Sequence, residues 1–334
     1  MAGQKAKDVV IRSDLKIMMS ELEFSELNLQ ADSIAPPVFV SKRTADYPVL
    51  PREVVAKIPD TKRAKGGGYQ RGQWEWDSDT YKTREYGYEE TVDEISALEN
   101  EEFIDEEFMA SKLSVEKLLL AREARVYEFL LDESKWSGAT NLVEIPNDDR
   151  WFGNAAGANI FNIVDAAAKI VRNKCLFSKS QLTLVITEDA LNEVFRTSEL
   201  KDDTKYTVFL QKLPLDEKKA WLKAYLGVKE VKTVVSMYDT SGLGQDMEVG
   251  QFWSNNFGLL AKLSDGSNTL MNRNVIRQLV WSRHSRDYLI ESYHEPKIKS
   301  YVYRASEYRG MKMNTDYGVL LKGIKPDADS TTGF

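Results

Sequence analysis

Cysteine and histidine are nearly missing from this chain of 334 residues, which has one cysteine, Cys175, and two histidines, His284 and His294. A single cysteine excludes an intrachain disulfide framework and a zinc site built from several thiolates. No run approaches the roughly 18 apolar residues that a membrane-spanning helix needs. The basic N-terminus, MAGQKAKDVVIRSDLK, lacks the apolar stretch of a secretory signal. We therefore expect a protein made in the cytoplasm that contacts no membrane and needs no cofactor.

Positively charged residues are fewer than acidic ones. The chain has 45 Lys and Arg against 52 Asp and Glu, which gives a net charge of −7. A general non-specific nucleic-acid binder needs a basic surface, so that class is excluded. Hydrophobic residues make up 42% of the chain and charged residues 29%, which is ordinary for a globular protein with a sizeable core. Neither histidine lies near a nucleophile motif, so the chain is poorly equipped for catalysis.

Prolines and aromatic residues predict an extended N-terminal part. Five of the nine prolines fall before residue 60, where they disfavour long helices and suit an extended arm. Residues 49–92 then predict a long two-stranded hairpin, with β-prone residues 54–58 outbound and an alternating return strand that starts at Trp74. Residues 60–68 form a basic, glycine-rich tip between them. Because an isolated ribbon is marginally stable in water, we expect this hairpin to rest on a partner surface.

A long helix follows the hairpin. No glycine or proline occurs between Tyr88 and Trp136, and apolar residues from Ile104 to Leu130 step by four and seven positions. This spacing predicts one helix over residues 98–132, about 50 Å long at 1.5 Å per residue. Such a length favours a spine that crosses a flat domain.

Beyond Pro146 the pattern becomes α/β. Apolar residues from Ile160 to Val171 mark one helix face, and Gly227 is a typical C-terminal cap for another helix. The expected elements after the first helix are a strand over 181–186, helices over 190–195 and 216–226, and strands over 228–238, 257–263, 278–282, 287–293, 299–304 and 317–322.

An acidic segment is the most unusual local feature. Ten carboxylates and no Lys or Arg lie between Glu89 and Glu107. Three interpretations stay open: a Mg²⁺ or Ca²⁺ site, a solvated face with mutual repulsion, or a contact with positive charge from a neighbouring copy. The hairpin tip supplies such charge, and Trp74 and Trp76 share a face that suits ring burial at a protein contact. The candidate inter-subunit residues are Lys57, Lys62, Arg63, Lys65, Arg71, Trp74, Trp76, Glu101, Glu102 and Glu106.

Weaker motifs favour ordinary structural roles. Asp77 and Asp79 could hold a metal, but an isolated pair on a strand is more often surface charge. The GxG of residues 242–244 lacks the third glycine of a dinucleotide site and indicates a turn. Cys175 is expected to be a small buried apolar residue, and both histidines are expected at the surface or in turns.

The order of these parts resembles the major capsid proteins of tailed bacteriophages, which have the Hong Kong 97-like α+β fold. Three local sequences also resemble those of this family. They are the segment from Trp151 to Val171, the strand at 182–186 and the closing strand at 317–321. The resemblance implies an N-terminal arm at 1–40, a long β-hairpin called the E-loop at 41–92, and a peripheral domain with the spine helix at 93–150 and 265–325. It also implies an α/β axial domain at 151–264 and a C-terminal tail at 326–334.

This resemblance implies a structural function. Copies of the chain would assemble as pentamers and hexamers into an icosahedral head, the virion capsid, around double-stranded DNA. A portal and a separate scaffolding protein are expected partners, because residues 1–40 are too short to contain a substantial scaffolding segment. Some relatives form a covalent crosslink between an E-loop lysine and an asparagine of another subunit, and Lys62 or Lys65 could supply the lysine. No partner asparagine can be selected, and we expect no crosslink. The alternatives are an encapsulin-like compartment, which shares the fold, and a metal enzyme that uses the carboxylates of 89–107.

Overall fold

Two β-sheets organise the part of the chain that the computed structural model describes. The described residues are 10–11, 28–49, 58–63, 65, 67–69, 71, 75, 77–96, 105–137, 140–152, 157–203, 213–242, 244–264, 273–281 and 287–325. The strands are β1 (Val10–Ile11), β2 (Pro37–Val40), β3 (Thr44–Val49), β4 (Asp77–Lys82), β5 (Arg84–Asp93), β6 (Leu142–Glu144), β7 (Thr183–Thr187), β8 (Glu230–Val234), β9 (Met237–Asp239), β10 (Val249–Gln251), β11 (Phe257–Ala261), β12 (Ile276–Trp281), β13 (Leu289–Glu295), β14 (Ser300–Met313) and β15 (Gly318–Lys322).

Among the described residues, the helices with defined bounds occupy three parts of the chain. They are α1 (Ala31–Ile34), α2 (Glu106–Leu131), α3 (Glu133–Ser137), α4 (Ile160–Cys175), α5 (Glu188–Val194), α6 (Ser198–Asp203) and α7 (Leu215–Leu226). The apolar face expected between Ile160 and Val171 is buried in α4. Helix α7 ends at Gly227, whose φ of 65° is the left-handed conformation expected of a glycine cap. Among the described residues, no helix combines the length and apolar character that crossing a bilayer requires.

The first sheet is built around β14, the longest strand. Its order is β1-β13-β14-β12-β2, and β5 also pairs with β14. The N-terminal part of β14 lies between β13 and β5, with Ala305 opposite both Ile290 and Tyr88. Its C-terminal part pairs with β12, which in turn holds β2 in parallel. Strand β14 therefore ties the N-terminal region to the C-terminal third of the chain.

The second sheet has the order β6-β15-β11-β7-β8 and is covered on both faces. Strand β7 is buried along its whole length, as expected of a strand between two layers. Leu184 and Ile186 face a core formed with α4, α5 and α7. The intervening Val185 faces a second core formed with the C-terminal half of α2 and the segment around α1. The two-residue period of the strand thus sends alternate side chains into different cores.

Helix α2 joins the two sheets as a spine. Its N-terminal half packs Val115 and Leu118 against Ile290 and Ala305 of the first sheet. Its C-terminal half contributes Val126, Tyr127 and Leu130 to the core beneath the second sheet. With 26 residues it is about 39 Å long.

The predicted start of this helix is wrong. Asp105 has a non-helical backbone, and its carboxylate accepts a hydrogen bond from the Phe108 backbone N–H at 2.9 Å. This is the geometry of an N-cap, and the acidic first turn also suits the positive end of the helix. The spine therefore begins at Glu106 instead of residue 98, because a capping aspartate ends the helical run that apolar spacing alone suggests. Residues 97–104 lie outside the described residues.

The hairpin is present with different strand bounds. Strands β3 and β4 pair antiparallel, from Thr44 opposite Lys82 to Val49 opposite Asp77. The outbound strand expected at 54–58 lies outside the described residues except for Ile58, which is 92% exposed and belongs to no strand. The return side breaks at Thr83 and continues as β5 in the first sheet. The return side is therefore split between the ribbon and the sheet.

Candidate subunit-contact surfaces

The base of the β3–β4 ribbon is fastened to the first sheet. The Tyr47 hydroxyl donates to Asp79 at 2.9 Å, and Lys312 of β14 donates to the same carboxylate at 2.6 Å. The hydrogen bond from Lys312 is the main reason that the pKa of Asp79 lies below its usual value, while burial and Asp79 raise the pKa of Tyr47. A Cβ at Gly310 would clash with the Lys82 carbonyl oxygen, so the two strands approach closely only because that residue is glycine.

The tip of the ribbon presents both cations and apolar side chains. The cations Lys62, Arg63, Lys65 and Arg71 are exposed, as a basic, glycine-rich tip predicts. Arg63 is also held within the tip, because its Nε donates to the Gly67 carbonyl at 2.6 Å and its guanidinium lies 4.6 Å from the Tyr69 ring centroid.

Tyr69 itself is 74% exposed. The tip therefore exposes both charged and aromatic side chains, and Arg63 is held in place within it. The candidates Lys57, Trp74 and Trp76 lie outside the described residues.

The acidic segment has partners within its own subunit that its sequence does not reveal. Arg304 of β14 contacts Glu89 at 2.5 Å, and His294 of β13 contacts Glu94 at 2.6 Å. Glu106 accepts a hydrogen bond from the Ser96 hydroxyl at 2.9 Å. The absence of Lys and Arg between 89 and 107 thus overstates the negative potential, because Arg304 comes from a strand distant in sequence and pairs with Glu89. Glu101 and Glu102 lie outside the described residues, and the contact of this segment with a neighbour's tip stays a prediction.

A buried ionic network, which the sequence patterns do not predict, lies where α2 crosses β14. The carboxylate of Glu307 accepts hydrogen bonds from Arg122 at 2.9 and 2.5 Å, from Arg125 at 2.7 Å and from Arg309 at 2.9 Å. The side chain of Glu307 has no exposed surface, and that of Arg122 is 6% exposed. Charges buried to this degree are tolerated only when they are paired and hydrogen-bonded, as they are here.

Two further carboxylates connect this network to other parts of the chain. Asp32 of α1 lies 3.2 Å from Arg122 and 3.5 Å from Arg309, and Asp287 lies 3.1 Å from Arg122 and also pairs with Arg309. Burial acts to lower the pKa of Arg122, but the charges of Glu307, Asp287 and Asp32 outweigh it and raise that pKa. The network therefore joins the N-terminal segment, the spine and the first sheet.

Glu123, the next residue of α2, fixes the same N-terminal segment through its backbone. It is 2% exposed, and its carboxylate accepts hydrogen bonds from the backbone N–H groups of Gln30 at 2.7 Å and Ala31 at 2.8 Å. The Ser236 hydroxyl donates to it at 2.7 Å. Because Gln30 provides no side-chain cap for α1, Glu123 caps this short helix from another element.

One signal in the sequence could have revealed this network. Arg122 lies four residues after Leu118 and four before Val126, so it occupies the buried face of the helix. A charged residue on such a face requires a buried counter-charge. Sequence alone does not say which of the 52 acidic residues supplies it.

The remaining motifs have structural roles where they are described. Cys175 is 5% exposed and donates to the Asp316 carbonyl, which confirms the expected buried residue. Gly244, with a φ of 83°, belongs to the connection between β9 and β10, which confirms a turn. His294 lies on β13, and His284 lies outside the described residues. Among the described residues, no group of three or more His, Cys, Asp or Glu side chains is placed to hold a metal ion.

Comparison with known proteins identifies the fold. No protein-family model and no curated protein sequence matches the chain. A phage-related protein from Bordetella bronchiseptica RB50 superposes with a TM-score of 0.67 at 18% identity, over 94% of this chain and 98% of that one. A structure from Microbacterium phage Oxtober96 gives a TM-score of 0.56 at 12% identity, over 93% and 98% of the two chains. The capsid of cyanophage P-SCSP1u gives 0.54 at 9% identity, over 86% of each chain.

These likenesses establish the class of fold. The chain has the Hong Kong 97-like capsid fold, as the order of its parts predicts. At identities of 9–18% the likeness concerns the fold alone.

Proposed function

We propose that this chain is the major capsid protein of a tailed bacteriophage, and that its copies form the pentamers and hexamers of an icosahedral head around double-stranded DNA. One observation carries the proposal. The likeness to the cyanophage capsid runs over 86% of both chains, so nearly the whole molecule is devoted to the capsid fold. The function is accordingly structural and non-enzymatic, and its place is the virion. A scaffolding protein and a portal are the further partners we expect.

The division into domains belongs to the same proposal. Residues 1–40 would be the arm, 41–92 the E-loop and 326–334 the tail. The first sheet with α2 would form the peripheral domain of 93–150 and 265–325, and the second sheet the axial domain of 151–264. Strands β1 and β2 of the first sheet come from the arm range, and nearly all of β5 comes from the E-loop range. The second sheet also takes β6 and β15 from the peripheral ranges, which ties the two domains to each other.

Electron microscopy of the purified full-length protein, expressed with and without its expected scaffolding partner, tests this function. We expect closed shells of uniform diameter. Particles purified from phage-producing cells should contain double-stranded DNA, measured by nuclease-resistant absorbance at 260 nm. Particles filled with protein cargo would instead indicate an encapsulin-like compartment. Discrete monomers that bind Mn²⁺ or Mg²⁺ through the 89–107 segment would indicate the metal enzyme, and either result would refute a phage head.

The ribbon is proposed to act in assembly more than in subunit folding. Its tip makes hydrogen bonds within itself and exposes Ile58 and Tyr69, so it adds little to the cores described above. Replacing residues 57–76 with a short glycine-serine linker should leave a soluble subunit with a near-normal circular dichroism spectrum but no shells. Normal shells from this variant would show that the ribbon is not needed for assembly.

The charges of the tip are proposed to contact the acidic segment of an adjacent copy. Each exposed ion pair contributes only about 0–1 kcal/mol, but a shell repeats the contact at every subunit boundary. Added salt should weaken assembly, because the Debye length falls from ~10 Å at 0.1 M to ~3 Å at 1 M. The residues involved would be Lys62, Arg63 and Lys65 on the tip, and Glu101, Glu102 and Glu106 on the neighbour.

Charge reversal tests this pairing. Changing the three tip residues to glutamate should prevent assembly, and changing the three glutamates to lysine in the same chain should restore part of it. As a matched control, Lys201→Glu, Lys219→Glu and Lys223→Glu change the net charge equally on helices α6 and α7. If the tip reversal assembles as well as the parent at low salt, the tip charges face solvent and the pairing is wrong.

A further inference from the structure

One face of the first sheet points away from the spine helix. Ile290 of β13 and Ala305 of β14 pack against α2. Because side chains alternate along a strand, the residues next to these two point to the opposite side, which we call the far face. Residues that stand opposite each other in an antiparallel pair share a face. The far face of β13, β14 and β5 therefore carries Leu289, Glu291, Arg304, Ser306, Glu85 and Glu89.

A cavity of about 180 Å³ opens on the far face. Ser306 and Leu289 line it, and they stand opposite each other on β14 and β13. On the other side of Ser306 is Gly87 of β5, which has no side chain. This row of small residues is lower than the rows on either side of it, which explains why a depression forms there.

Two aromatic rings bound the cavity at one end. Trp281 of β12 and Tyr308 of β14 meet edge to face, with their ring centroids 4.9 Å apart, and both side chains are half-buried. The Trp281 indole N–H donates to the Ser41 carbonyl at 3.2 Å, which fixes the orientation of the ring. Aromatic faces attract cations, and the attraction is stronger where water is partly excluded.

Carboxylates bound the rest of the cavity. Glu85 and Glu291 line it, and Glu89 lies in the same row as Glu291. Arg304 contacts Glu89 at 2.5 Å and Glu291 at 3.6 Å. Glu85 is exposed, and no cation of the described part of the chain contacts it. Three carboxylates therefore share one guanidinium, and the cavity keeps an excess of negative charge.

The far face already binds a guanidinium of its own chain through a ring and a carboxylate together. The Arg304 guanidinium lies 5.2 Å from the Tyr293 ring centroid while it pairs with Glu89. Arg43 lies 5.8 Å from the Tyr308 centroid but does not line the cavity. A planar guanidinium stacks on a ring and donates two parallel N–H groups to a carboxylate, whereas an ammonium group cannot do so. The combination of rings and carboxylates therefore fits arginine.

We propose that this cavity binds an arginine side chain presented by a basic segment of a different protein. Its volume of about 180 Å³ suits one side chain, because pockets for drug-sized ligands start at about 300 Å³. The charge of the subunit decides against a second copy. Each copy carries −7, so its approach to an acidic face is opposed, whereas a basic segment is attracted. The binding is a property of the single subunit and does not depend on the proposed function.

A peptide titration followed by NMR tests the proposal. The probe is acetyl-Gly-Arg-Gly-amide, added to unassembled full-length protein with ¹⁵N-labelled tryptophan, and the variant Trp281→Phe assigns the indole signal of Trp281. We expect a saturable shift of that signal with a Kd in the millimolar range. The same peptide with citrulline, which has a similar shape but no charge, should cause no shift. The lysine peptide should bind more weakly, because its ammonium group is not planar.

Variants of the cavity locate the binding. Glu85→Gln and Glu291→Gln should each weaken binding of the arginine peptide by about fivefold. Ser306→Val should abolish the shift, because it fills the floor with a side chain that suits a strand. As a matched control, Glu217→Gln with Glu230→Gln removes two exposed charges from α7 and β8 and should leave the affinity unchanged. If the Ser306 variant does not fold, Glu85→Gln alone, at an exposed position, still gives the fivefold loss.

Four outcomes overturn the proposal. The first is an equal shift with the arginine and citrulline peptides, or no shift with either. The second is unchanged binding in the variant that lacks both Glu85 and Glu291. The third is a shift of the Trp281 signal that depends on protein concentration without peptide, because the cavity would then bind a second copy. The fourth is binding that appears only after Arg283→Gln with Arg286→Gln, because arginines of this chain, outside the described residues, would then fill the cavity.

Discussion

Replacing Glu307 with glutamine tests whether the buried ionic network stabilises the subunit. Glu307 accepts four hydrogen bonds from three guanidinium groups, and its side chain has no exposed surface. Glutamine keeps one acceptor oxygen but turns an N–H₂ group toward a guanidinium. Three of the four bonds reach Oε2 and one reaches Oε1, so either one or three of them are lost. Hydrogen bonds to charged groups contribute about 1.5–3 kcal/mol each. Removing one partner of a buried ion pair typically costs about 3–5 kcal/mol.

We therefore expect Glu307→Gln to lower the free energy of unfolding by about 3–5 kcal/mol, measured by urea denaturation of unassembled subunits. Two controls locate the effect. Arg125→Ala, at the edge of the network with 20% of its side chain exposed, should cost clearly less. The double variant Arg122→Met, Glu307→Leu should cost less than the sum of its single changes, because it removes both charges. A loss below about 0.5 kcal/mol for Glu307→Gln, the range of ordinary surface changes, would refute the reasoning.

Three further predictions concern the spine and the ribbon. Leu119→Pro should destabilise the subunit by about 3 kcal/mol or more, because proline removes a backbone donor within α2; normal shells from this variant would contradict a continuous buried helix. Gly310→Ala should cost about 1–3 kcal/mol by pushing β14 from the Lys82 carbonyl, whereas Gly87→Ala, with its nearest contact at 3.1 Å, should cost less in the same thermal melts. The hydrogen bond from Lys312 lowers the pKa of Asp79 from 3.8, so its contribution is present above that value and lost as the pH falls through the lower folded pKa. Asp79→Asn should therefore flatten the acid side of the stability curve below about pH 4; an unchanged curve would show that Asp79 is not coupled to folding.

Much of the fold could be predicted from local patterns. The face of α4, the cap at Gly227 and the order of the C-terminal strands depend on apolar spacing and glycine conformation, which neighbouring residues encode. The start of α2 could not be placed this way, because apolar spacing continues across Asp105 while the capping bond decides the boundary. The pairing of β3 with β4 over Thr44–Val49 could not be placed from propensity, because register depends on the partner strand. The outbound strand expected at 54–58 lies outside the described residues except for Ile58.

The candidate contact surface likewise has some features that local sequence predicts and others that it does not. Exposure of the tip cations follows from their sequence, since short basic and glycine-rich segments bury little. The partners of Glu89 and Glu94 come from β14 and β13, about 200 residues away. Asp32 and Glu307 are likewise far apart in sequence, so only the folded chain brings them to Arg122. Pairings of this kind depend on sheet topology, and no local pattern contains it.

The capping of α1 by Glu123 has a consequence for variation in this protein. The carboxylate recognises backbone N–H groups of residues 30 and 31, and every residue except proline has such a group. The Gln30 side chain can therefore change freely in evolution without moving the segment. Glu123 has no such freedom, because shortening it would take this acceptor away from both N–H groups, and glutamine would keep only one acceptor oxygen for them. The position of the N-terminal segment thus depends on Glu123 of the spine helix. We expect substitutions to be more restricted at Glu123 than at Gln30.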